Sequence, residues 1–140
     1  MQGNSVDSEA VILSLGLAAK EIHGEFDTRL ARIAMLIDGQ AKKNIQTGSR
    51  SGRRYTRRSI SHQASSAGEY PKTDTGALAR NIFWEKVSRL NYKVGSRGKG
   101  APHGFWLEFG TIHMAARPWL NRTIKENVDK IAKILYGSRL

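Results

Sequence analysis

The chain has no cysteine. Disulfide frameworks and thiolate zinc sites are excluded, and the composition is compatible with a reducing compartment. Acid is scarce: 12 Asp and Glu stand against 23 Lys and Arg, for a net charge of +11. A chain this basic is expected to meet a polyanion or an acidic partner surface. Ala10–Ala19 (AVILSLGLAA) is far too short to span a bilayer. Asp7 and Glu9 precede it where a secretory signal would carry Lys or Arg, so neither a signal peptide nor a membrane partner is expected. The four histidines, His23, His62, His103 and His113, share no metal-ligand spacing with one another or with an acid, and read as surface or loop residues. Gly95–Gly100 fails the spacing of a phosphate loop, and no Ser or Thr follows Lys99 to hold magnesium. Glu108 has no second carboxylate or activated nucleophile near it in sequence, and a salt bridge to Arg117 is its expected role. No catalytic centre, metal or cofactor is expected.

What is present describes one globular domain over residues 1–140, at 39% hydrophobic and 25% charged residues. From about Asp7 to Ile45, apolar residues recur every three or four positions, including Ile12, Ile22, Leu30, Ile33, Ile37, Ala41 and Ile45. That spacing predicts a helix. Gly24 is a plausible break, giving two helices, and the wider apolar face of the first half suits a subunit contact. Thr47–Thr73 is an arm rich in Ser and Gly, with Arg50, Arg53, Arg54, Arg57 and Arg58 in nine positions and no acid among them. It reads as a solvated loop or as a contact to phosphates or carboxylates, both of which suit the guanidinium fork. Few apolar side chains offset its ordering entropy, so the arm is expected to be mobile in a free subunit and ordered by a neighbouring one.

Asp74 or Thr75 is expected to cap a short helix beginning at Ala77. Asn81–Ser88 and Tyr92–Ser96 read as a hairpin, and the alternation in Phe105–Phe109 as a further strand. After Arg117-Pro118, the residues Leu120, Ile124, Val128, Ile131 and Leu135 make the stripe of one closing helix. Trp119 and Leu120 should pin that helix to the Phe105–Phe109 segment, and Gly110 should permit a backbone that a side chain would obstruct. Trp84, Trp106 and Trp119, with Phe83, Phe105 and Phe109, read as core or interface rather than as a base-stacking platform. The expected fold class is α+β: a long N-terminal helix, in one piece or broken at Gly24, a small antiparallel sheet of about three to four strands, a C-terminal helix and a long basic arm.

An ordered set of short strings resembles one family. Ala67-Gly68-Glu69-Tyr70-Pro71, then Asp74-Thr75-Gly76-Ala77-Leu78, then Asn81-Ile82, is similar to the "G-E-x-P … D-T-G-x-L … S-I" stretch of the neck or tail-completion proteins of long-tailed phages. This is the gene-ten family of lambdoid siphophages. Val94-Gly95 resembles its "VG" strand, Phe105-Trp106-Leu107-Glu108-Phe109-Gly110-Thr111 its "Y-x-x-x-L-E-x-G-T", and Met114–Leu120 its "M-x-A-R-P-F-L". Trp119, Tyr70 and Asn81 depart from the usual residues, and Met1–Gly24 is not covered. The resemblance implies a non-enzymatic virion protein at the head–tail junction, found in the host cytoplasm during assembly. It implies a homo-oligomeric ring, most often a hexamer, around the DNA channel. Its neighbours would be head-side connector or adaptor proteins and tail tube or tail terminator proteins. Asp74, Thr75, Gly76, Leu78, Glu108, Gly110, Thr111, Arg117, Pro118, Trp119 and Leu120 carry the motifs in structural roles. A small basic nucleic-acid-binding protein is the alternative, resting on the charge and the arginine arm.

Overall fold

The computed structural model describes residues 8–48, 52–71, 76–99 and 103–137. The readings of Arg50, Asp74 and Thr75 fall outside these residues. The fold is α+β: a long N-terminal helix, two antiparallel sheets of two strands each, and C-terminal helices.

Helix α1 runs unbroken over Ser8–Thr47. The expected break at Gly24 does not occur. A Cβ at Gly24 or Gly39 would meet nothing within 4 Å, so neither glycine answers a steric demand. Each costs the helix about 1 kcal/mol relative to alanine, which the burial of its second half outweighs. That half buries Ile33, Ala34, Ile37, Ala41 and Ile45 at the expected helical spacing, while Ile22 stays exposed.

The arm is not structureless. It holds a hairpin of β1 (Arg54–Arg57) and β2 (Ile60–Gln63), with Arg57 opposite Ile60 and Arg54 opposite Gln63. Alternation does not reveal it, because neither strand has a buried face. The two turn residues, Arg58 and Ser59, have φ of 49° and 63°. Two-residue hairpins need this left-handed geometry, and a non-glycine residue in it costs roughly 1–2 kcal/mol.

Helix α2 (Ala77–Asn81) begins at Gly76, whose φ of 77° suits glycine, and among the described residues no side chain caps it. It leads directly into a second hairpin, β3 (Ile82–Ser88) and β4 (Asn91–Ser96), which lies on α1. Its tip is fastened by Asp27 of α1. The carboxylate accepts from Lys86 Nζ at 2.6 Å, from the Leu90 backbone N–H at 2.8 Å and from the Tyr92 hydroxyl at 3.2 Å. The Lys86 bond first, then the Leu90 N–H, hold the Asp27 carboxyl below its ordinary range.

Phe105–Phe109 is not a strand. It belongs to helix α3 (His103–Phe109), and the four strands are divided between the two hairpins. In the helix, Phe105 and Phe109 lie one turn apart with ring centroids separated by 4.8 Å. Both face outward, at 66% and 69% exposure, while Leu107 packs on the core. The closing segment is two helices, α4 (Leu120–Glu126) and α5 (Val128–Tyr136), rather than one. The break is at Asn127, which is buried with φ −111° and ψ 14° and donates its amide to the Thr123 carbonyl at 2.8 Å. Side-chain hydrogen bonding of this kind competes with helical backbone. The core joins Ala41 and Ile45 of α1 to Tyr70, Leu78, Ala79, Ile82 and Trp119, with Leu107 and Leu120 at its margin.

Candidate interaction surfaces

The α3–α4 corner is held by two residues. Trp119 is 3% exposed and donates its indole N–H to the Gly104 carbonyl at 2.9 Å. The close fit extends to Gly104, where a Cβ would lie 2.5 Å from Ser96 Oγ and 3.0 Å from Leu78 Cδ1. Glu108 does not pair with Arg117. Its carboxylate accepts the backbone N–H groups of Trp119 and Leu120, each at 2.8 Å, and of Asn121 at 2.9 Å. These donors have no partner within the helix, and the helix dipole favours a negative charge there. Sequence spacing could not show this, because the donors are backbone groups brought up by the turn.

That turn depends on Gly110, with φ of 77°. A Cβ there would sit 2.9 Å from the Ala116 nitrogen and 3.0 Å from the Met114 carbonyl oxygen, as the sequence reading of Gly110 required. Thr111 pairs with Met114, and its hydroxyl accepts the His113 N–H at 3.2 Å. Arg117 gives its backbone N–H to the Leu107 carbonyl at 2.7 Å and its guanidinium to Ser65 Oγ at 3.2 Å. Its buried Nε has no partner among the described residues. Pro118 precedes the first helical residue of α4 by two positions, so it directs the entry of the chain rather than occupying the first turn.

Outside this corner lies an uncovered apolar surface. Phe105, Trp106, Phe109 and Ile112 are exposed, Ile112 at 94%. A groove of about 330 Å³ runs beside it between Phe105, Phe109, Leu120 and Ile124.

Tyr70, a departure from the family pattern, is a core residue. Its hydroxyl donates to Glu126 at 2.6 Å, and the Arg122 guanidinium lies 4.4 Å from its ring centre. Burial first, and then the bond to Glu126, push the phenol up to about 12. The Tyr70 bond and then Arg122 hold the Glu126 carboxyl below its ordinary range.

The β1–β2 hairpin is the second surface. Every residue from Arg53 to Ile60 is exposed, and its strands pack closely only on each other among the described elements. Tyr55 and His62 stack across one face at 5.5 Å, beside Arg57 and Ile60. Arg54, Thr56, Ser61 and Gln63 share the other face. The base is fixed. Gly52 donates to the Ala64 carbonyl at 2.8 Å, and Ser65, 2% exposed, meets Arg117. Arg53, Arg54, Arg57 and Arg58 thus share one ribbon, whereas the motif residues from Glu108 to Leu120 build the separate α3–α4 corner.

Among the described residues, no group of three His, Cys, Asp or Glu could hold a metal ion, and no helix is long and apolar enough to cross a membrane. No family model, curated protein or solved structure matches the chain.

Proposed function

We propose that the chain is a structural subunit of a phage neck, a non-enzymatic protein that assembles into a ring around the DNA channel and joins tail to head. One observation carries the reading: Phe105, Trp106, Phe109 and Ile112 are left uncovered on the corner that the family-like motifs build. A contiguous apolar surface of this kind marks a protein contact. The ordered strings from Ala67 to Leu120 support the neck assignment, and the exposed Ile22 on α1 offers a further contact for a neighbour. On this reading the flanking proteins are a head-side connector or adaptor and a tail tube or tail terminator protein. The protein resides in the virion, after assembly in the host cytoplasm.

The test is the mass of the purified protein by sedimentation and light scattering. The expected result is a closed oligomer, a hexamer first, of a 15.6 kDa subunit. A monomer at every concentration, together with failure to restore head–tail joining to particles that lack it, overturns the reading. The second reading, a small basic nucleic-acid-binding protein, is favoured by the exposed arginine ribbon. It predicts a monomer whose affinity for DNA falls steeply with salt.

A further inference from the structure

We propose that the β1–β2 ribbon binds duplex DNA, with Arg53, Arg54 and Arg58 on the phosphate backbone. Arginines in an acid-free arm suit either carboxylates or phosphates. Among the described residues, seven acids are already engaged within their own chain, Glu21 and Asp129 standing apart from these. Glu25, Asp38 and Glu126 each hold a cation of their own chain, as do Asp27 and Glu85. Glu108 and Glu69 are engaged by backbone N–H groups. No acid occurs in the sequence between Asp38 and Glu69. The acid-free ribbon suits a dense external polyanion.

Shape selects among polyanions. Each strand of the ribbon has four residues and so spans about 13 Å, and the B-DNA major groove, about 12 Å wide, admits a two-stranded ribbon. The A-form RNA major groove is too deep and narrow for one. On one face, Arg54, Thr56, Ser61 and Gln63 give a row of hydrogen-bonding side chains, as a groove-facing surface needs. The tip points the same way. Arg58 sits in a left-handed turn that Asn or Gly would fill with less strain, so arginine stands there against local preference. The ribbon is also anchored at Gly52, Ala64 and Ser65, so it is presented without the cost of ordering a loose arm.

The inference holds for a ring subunit or a monomer, and its test is separate from the mass measurement. Binding of the full chain to a 20-base-pair DNA duplex is followed by fluorescence anisotropy across a salt series, with an RNA duplex of the same sequence alongside. The variant Arg53→Gln, Arg54→Gln, Arg58→Gln is compared with Lys20→Gln, Lys125→Gln, Lys130→Gln, which removes equal charge from α1, α4 and α5. The ribbon variant should lower the slope of log affinity against log salt by about 2–3, at about 0.9 per phosphate contact, while the lysine variant leaves most of it. Circular dichroism checks that both variants are folded. Equal loss in the two variants, or no binding by the unaltered chain, overturns the proposal. Equal affinity for the RNA duplex overturns the assignment to the DNA groove. Unchanged DNA binding with loss of self-association in the ribbon variant assigns the arginines to a protein neighbour instead.

Discussion

At the scale of single residues, the molecule depends on a few side chains that serve backbone as well as core. Trp119 fills the space between α3 and α4 and also satisfies the Gly104 carbonyl. Trp119→Ala is expected to cost about 3–5 kcal/mol, read as a fall in melting temperature. An unchanged melting temperature would show that this packing is not what holds the corner. Tyr70 yields a prediction in pH. Below pH 10, its ordinary value, the phenol is protonated in both the folded and the unfolded chain, and its contribution is complete. Between 10 and about 12 the unfolded chain loses the proton first, so stability falls as pH rises through that window. The loss should be about 1–2 kcal/mol, and Tyr70→Phe should flatten it relative to the unaltered chain. Denaturant midpoints of the two proteins from pH 9 to 12 test this, and parallel curves would refute it.

At the scale of elements, the two hairpins show opposite ways of holding a turn. The β3–β4 tip tolerates Leu90 at φ 58° because Asp27 grips its N–H from α1. The β1–β2 tip has Arg58 and Ser59 in the same region, and the hairpin is held by its own ladder and its base. Ser59→Gly should remove about 1 kcal/mol of strain there and raise the amide protection of the ribbon roughly fivefold, with little change in global melting. Hydrogen exchange measured residue by residue decides it; unchanged protection would mean the turn carries no such strain. Helix α3 has its own test. Phe105 and Phe109 are exposed, so Phe105→Ser with Phe109→Ser should leave the melting temperature within about 0.5 kcal/mol of stability, as surface changes do. On the neck reading the same variant loses self-association by light scattering. A variant that unfolds would place these rings in the core, and one that assembles normally would remove α3 from the interface.

At the scale of the whole molecule, the ribbon and the α3 surface differ in character. The ribbon carries four arginines and an aromatic stack, while the α3 surface carries exposed apolar rings. One surface suits a polyanion and the other a protein, which is the division a subunit gripping both DNA and its neighbours would need. The long α1 bears the β3–β4 hairpin, α2, α4 and α5 on its length.

Much of the framework was legible in the sequence. The 3.6-residue spacing of Ile33, Ile37, Ala41 and Ile45, the β3–β4 hairpin, the glycine at 110 and the burial of Trp119 all follow from local preference, because each is written in neighbouring residues. The apparent strand at Phe105–Phe109 failed because alternation assumes that apolar residues mark the buried face, and here the rings are outside. The ribbon in the arm was missed for the converse reason, having no buried face to alternate. Glu108 as a helix cap and Asp27 as the clasp of a hairpin involve backbone groups distant along the chain. Only tertiary structure decides these, because a carboxylate's partner is set by which donors the fold brings within 3 Å, and sequence spacing carries that information only within a turn or two of helix.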